Sequence, residues 1–79
     1  GISPERGLTT VDFEEAAVKR AILRRARQRV VLADSSKLEQ DFIVTFGSIE
    51  DVDVLVTDDE ADPAAVARLR DAGVEVVLA

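Results

Sequence analysis

The sequence predicts an α/β domain in which flanking helices pack on a mainly parallel sheet, and three observations carry that prediction. Residues 30–33 and 74–78 are short apolar runs with little in-and-out alternation, the pattern of strands covered on both faces, and residues 53–57 read as a further strand. Residues 13–28 have helical apolar spacing behind a capping pair, Asp12 with Glu15. Asp62-Pro63 opens a helix and Gly73 closes it, so residues 53–78 form a β-α-β unit whose crossover is expected to be right-handed.

Each element follows in chain order. Residues 2–10 read as a loop, because Pro4 and Gly7 break regular structure and Thr9 and Thr10 can bond their own backbone. In the first helix Phe13, Ala17 and Ala21 recur every four residues, and Ala16, Ile22, Leu23 and Ala26 widen the stripe into a sheet-packing face. Its acids come first and its bases last, the order the helix dipole favours. Residues 30–33 are expected as an interior parallel strand that ends in the polar loop Asp34-Ser35-Ser36-Lys37. Residues 38–41 suit a helical turn, 42–46 a β-rich strand closed by Gly47, and 48–51 a turn. The strand at 53–57 runs into Asp58-Asp59-Glu60, the helix at 64–72 follows, and 74–78 is a buried parallel neighbour of 53–57.

At 79 residues the chain holds one small domain or a piece of a larger one. Its 47% apolar content excludes a disordered tail, and 4% aromatics make the core aliphatic. Without Cys or His there is no disulfide, thiolate nucleophile, imidazole base or zinc site of the usual ligands. No apolar run approaches the ~20 residues that cross a bilayer, and GISPERG lacks the features of a signal peptide, so a cytoplasmic protein without membrane contact is expected. The net charge of −6 opposes general affinity for nucleic acid. It is unevenly spread: residues 19–29 carry six bases and no acid, whereas residues 30–79 sum to −9. Without aromatic interleaving, that basic block suits a solvated or intersubunit face better than a nucleic acid surface.

Ligands of α/β sheets gather beyond the carboxyl ends of parallel strands. Here one strand runs out into Asp34, Ser36 and Lys37 and another into Thr57 and Asp58, so one rim would gather a lysine, two hydroxyls and two carboxylates able to hold a sugar and an anionic group. The structural alternative is that Asp34 and Ser36 cap the next turn while Lys37 hangs in water. Asp58, Asp59 and Glu60 could likewise be a cation site, a phosphoacceptor or a solvated loop, and Glu15 a buried base or a cap.

The order of G-L-T-T at residues 7–10, E-x-x-x-K at 15–19, V-V-L-A-D-S-S-K at 30–37 and V-D-V-L-V-T-D at 52–58 resembles the C-terminal half of the sugar-phosphate-sensing domain of DeoR-type bacterial transcriptional regulators. A-D-S-S-K followed some twenty residues later by V-T-D is its most specific part. The resemblance implies half of an isomerase-like (NagB/RpiA/CoA-transferase-like) effector domain over residues 1–79, related to ribose 5-phosphate isomerase. It implies a phosphorylated sugar as effector, a homo-oligomer, and DNA contact only through a winged helix-turn-helix outside this chain. Its ligand-binding positions would be Gly7, Thr9, Glu15, Asp34, Ser36, Lys37, Thr57 and Asp58, with no catalytic residue, metal or cofactor. The isomerase alternative would use Glu15 as base and Lys37 as electrophile. Arg6 stands where the isomerases have a lysine and Leu8-Thr9-Thr10 where they have glycines, departures that argue against catalysis. The chain is accordingly expected to be a fragment of a regulator, to dimerise by itself, and to bind sugar phosphates only weakly when isolated.

Overall fold

A computed structural model describes residues 1–40 and 44–79 of the chain. Its elements are β1 (Ile2–Ser3), β2 (Gly7–Thr10), α1 (Phe13–Arg25), β3 (Val30–Leu32), β4 (Val44–Gly47), β5 (Val54–Thr57), α2 (Pro63–Asp71) and β6 (Glu75–Leu78). They build two three-stranded sheets, one ordered β1-β2-β4 and the other β3-β5-β6. The second is parallel throughout, with Val30 opposite Val54 and Val54 opposite Glu75. The first is antiparallel, so the expectation of a mainly parallel sheet holds for half of the strands.

The antiparallel sheet arises where a loop was expected. Pro4 and Gly7 punctuate only the turn of a hairpin, in which Arg6 N–H donates to Ser3 Oγ at 3.2 Å and Gly7 supplies a φ of +73°. Thr9 N–H then donates to the Gly1 carbonyl at 3.0 Å and β2 pairs with β4, so the backbone of these threonines is paired across strands. Of the strand expected at 42–46, residues 44–46 lie in β4, which also takes in Gly47, and 42 and 43 fall outside the described residues.

Asp12 starts α1 by accepting from Glu14 N–H at 2.8 Å and Glu15 N–H at 3.2 Å. The helix stops three residues short of the expected 28, at an extended Ala26 (ψ 137°). It packs on β2 and β4 rather than on the parallel sheet, which changes the buried stripe. Ala16 is buried and Leu23 and Ala26 half-buried, while Phe13, Ala17, Ala21 and Ile22 of the expected stripe are exposed.

That placement also explains β3. It is an edge strand, not an interior one: Val30 is 52% and Leu32 78% exposed. The β5–α2–β6 unit forms as expected, with Asp62 accepting from Ala64 N–H at 3.1 Å, proline in the first turn and Gly73 at φ +98°. However, β6 is half covered, with Val76 buried and Val77 and Leu78 exposed. Since side chains alternate along a strand, the registered positions Val30, Val54, Leu32, Val56 and Val77 share one face of the parallel sheet, and all are exposed or half-buried.

The opposite face carries the core. Leu55, Leu69, Val66 and Val76 cluster there with Ile2, Leu8 and Leu38, which joins the hairpin to the β-α-β unit. The turn after β3 lies at Ser35–Lys37, upstream of the expected 38–41, because Asp34 accepts from Ser36 N–H at 2.9 Å and draws it back. Leu38 instead bridges Ile2, and Glu39 N–H donates to the Ile2 carbonyl at 2.8 Å. Arg68 of α2 ties this segment down through Glu39, at 3.0 Å, and Glu5. No helix among the described residues is long and apolar enough to cross a membrane.

Candidate functional site

Because β3 and β5 are parallel neighbours, their carboxyl ends lie side by side, and a carboxylate fastens one to the other. Asp58 Oδ2 accepts from Ser35 N–H at 2.8 Å and Oδ1 from Glu60 N–H at 3.0 Å. These hydrogen bonds, that from Ser35 foremost, hold the Asp58 carboxyl below its ordinary value. Asp34 is lowered as well, first by the Ser36 hydroxyl and then by the Ser36 N–H, with the Lys37 ammonium adding to the effect. Asp34 and Asp58 thus line, with Leu32, Val56 and Ala79, a shallow depression of about 380 Å³ at the end of the sheet. Thr57 lies there too, its Oγ1 buried and without a hydrogen-bond partner among the described residues.

A second group of the expected residues meets one turn away. Lys37 leaves the Ser35–Lys37 turn and lines a cleft of about 240 Å³ with Thr9, Thr10, Glu15, Lys19 and Gly1. Four pieces of chain form it: Gly1 lies ahead of β1, the end of β2 supplies the threonines, the first turns of α1 supply Glu15 and Lys19, and the strand-end turn supplies Lys37. Glu15 and Lys19 form an i,i+4 ion pair at 2.5 Å. The Lys37 ammonium forms no hydrogen bond or ion pair among the described residues and so remains available to an anion.

The eight expected residues therefore divide. Thr9, Glu15 and Lys37 share the cleft, and Asp34, Thr57 and Asp58 share the sheet-end depression. Asp34 and Lys37, three residues apart and electrostatically coupled, join the two groups. Ser36 is spent on Asp34, its hydroxyl donating to Oδ1. Gly7 stands apart at the hairpin turn, beside Pro4, Glu5, Arg6 and Ser48. Lys19 and Thr10 were missed by the sequence reading, although the spacing E-x-x-x-K placed Lys19 one turn from Glu15.

An acid titration checks the fastening of the rim. A carboxyl whose folded pKa is depressed stabilises the fold above its ordinary value of 3.8 and loses that stabilisation as the pH falls below it. The Ser35 amide resonance is expected to report detachment below that pH, and Asp58→Asn to weaken the fastening at neutral pH. A Ser35 amide indifferent to both changes would show that Asp58 does not hold the turn.

The DeoR C terminal sensor domain family matches residues 1–59. The HTH-type transcriptional regulator GlpR of Haloferax volcanii is 38% identical over 73 residues, 92% of this chain and 29% of that protein. The HTH-type transcriptional repressor GlcR of Bacillus subtilis is 35% identical over 78 residues, 99% of this chain and 30% of that protein. A glycerol-3-phosphate regulon repressor of Haemophilus influenzae is 40% identical over 58 residues, 73% of this chain and 23% of that protein. The chain spans less than a third of the length of these curated relatives. No solved structure matches it.

Proposed function

This chain belongs to the DeoR family of transcriptional regulators, within the C-terminal sensor domain, and from that premise we propose that its cleft at Lys37 binds a phosphorylated sugar whose arrival alters operator binding by the intact regulator. One observation carries the reading: an ammonium without a partner among the described residues shares a small cleft with a carboxylate and two threonines, brought together from four separate chain segments. An ammonium suits an anionic oxygen, while a carboxylate and hydroxyls suit sugar hydroxyls, so the combination is complementary to a phosphorylated polyol. Lys37 meets an anionic oxygen, Thr9 and Glu15 hold hydroxyls on one side, and Asp34 and Asp58 accept from hydroxyls that reach the end of the sheet. The chain is part of a regulator and not an enzyme. Contact with DNA falls to the remainder of the regulator, whose relatives carry the helix-turn-helix in their names, and the other partner is a second copy of the regulator.

The sensing mechanism follows from where the ligand sits. A sugar phosphate touching β2, α1 and the strand-end turn together binds best when the three are closed on one another, so binding shifts the population toward that arrangement. Lys37→Met in a regulator containing this domain is expected to leave operator binding intact and to weaken the sugar phosphate response more than about tenfold, the loss for one charge-assisted hydrogen bond. Gel-shift titrations with ribose 5-phosphate, fructose 1-phosphate and glycerol 3-phosphate would measure it. A variant that responds like the parent to whichever compound acts would remove Lys37 from the site.

A further inference from the structure

The basic block of residues 19–29 has a use that the Lys37 cleft does not absorb. The last turns of α1 and the segment from Thr45 to Ser48 enclose a separate pocket of about 360 Å³, lined by Arg20, Arg24, Arg29, Thr45, Ser48 and Asp51. It shares no lining residue with the Lys37 cleft. Two of its guanidinium groups are held in place by backbone. Arg20 Nη2 donates to the Thr45 carbonyl at 2.9 Å, and Arg29 Nε donates to the Leu23 carbonyl at 2.7 Å. Each bond uses part of a planar fork and leaves other N–H groups to face the pocket. Arg24 lines the pocket with them, its side chain making no hydrogen bond or ion pair among the described residues. The one carboxylate of the lining, Asp51, accepts through Oδ2 from Ser48 N–H at 3.0 Å and from Ser48 Oγ at 3.4 Å, so its charge is partly spent.

We propose that this pocket is a second anion site, which takes a phosphate dianion between the forks of Arg20, Arg24 and Arg29. Arginine forks match the oxygens of phosphate in pairs, and the Thr45 hydroxyl can donate to an oxygen that remains. A small dianion fits better than a nucleic acid backbone. The positive charge is confined to one concavity on a chain of net charge −6, and a polyanion crossing it would meet the acids of residues 30–79. The two sites share α1, whose first turns carry Glu15 and Lys19 to the Lys37 cleft and whose last turns carry Arg20 and Arg24 here.

The test is a nuclear magnetic resonance titration of the whole 79-residue chain with inorganic phosphate and, separately, with glycerol phosphate, against sodium chloride at equal ionic strength. Saturable shifts are expected at the Thr45 and Ser48 amides and the arginine Nε groups. Arg24→Gln, which breaks no side-chain hydrogen bond or ion pair among the described residues, is expected to weaken phosphate binding about fivefold or more, while Lys37→Met leaves it unchanged. Tighter binding of the ester assigns the pocket to a phosphorylated metabolite, and equal binding to free phosphate; both support the proposal. Shifts that chloride reproduces, insensitivity to Arg24→Gln, loss on Lys37→Met, or tighter binding of a random DNA duplex would each overturn it.

Discussion

Gly7→Ala is expected to abolish the cooperative thermal unfolding of this chain. An added Cβ would stand 2.2 Å from the Gly47 carbonyl oxygen and 2.7 Å from Ser48 Cα, both backbone atoms of the neighbouring strand and the turn after it. No rotamer relieves such a contact, so β2 must separate from β4 or abandon a φ of +73°, which itself costs about 1–3 kcal/mol for a residue with a side chain. The separation also removes Leu8 from the core. A chain this size holds roughly 4–12 kcal/mol of total stability, which the combined loss exhausts. Gly73→Ala is the internal control: its φ is +98°, but no heavy atom lies within 4 Å of the added Cβ, so only the backbone strain of a few kcal/mol at most applies. Circular dichroism melts of both variants decide the matter, and a Gly7→Ala protein that melts like Gly73→Ala would refute the hairpin packing.

Leu69→Ala is the second large effect. Leu69 lies on the inner side of α2, is completely buried, and packs in the cluster that holds Leu55, likewise completely buried, and Val76. Removing its branched end leaves a cavity that the surrounding strands cannot close, and such changes cost about 2–5 kcal/mol. Against the stability of so small a domain, the urea midpoint is expected to fall by a third or more. Leu32→Ala removes the same atoms from a side chain that is 78% exposed and should scarcely move the midpoint. Equal effects at the two positions would mean that the core is not where the fold puts it.

How much of this was legible in the sequence depended on how local the signal was. The β5–α2–β6 unit was readable because its cap, its proline and its left-handed glycine are punctuation within a dozen residues. The hairpin was not: Pro4 and Gly7 mark a turn, but the pairing of β2 with β4 joins residues more than thirty positions apart, and no local pattern announces it. The same distant pairing drew α1 away from the parallel sheet, so its stripe shifted and Phe13 and Ile22 ended exposed. The candidate site divides in the same way. Asp34, Thr57 and Asp58 followed from strand ends, which the chain order supplies. The meeting of Thr9 and Glu15 with Lys37 rested on family resemblance, since hairpin, helix and turn come together there only through tertiary packing. Two parallel strands read as buried prove half-covered because α2 covers one face of their sheet while α1 packs on β2 and β4.

The uncovered face of the parallel sheet, with Val30, Leu32, Val54, Val56 and Val77, has a calorimetric consequence. The heat-capacity increment of unfolding comes chiefly from apolar surface that water reaches for the first time. Surface already hydrated in the native state adds nothing to it. For this chain the increment falls below the roughly 1 kcal/mol/K that 79 ordinarily packed residues would show, and the curve of stability against temperature is correspondingly flat. The molecule is thereby less sensitive to cooling than its size suggests, and anything that came to rest on that face would steepen the curve before it changed a single bond in the core.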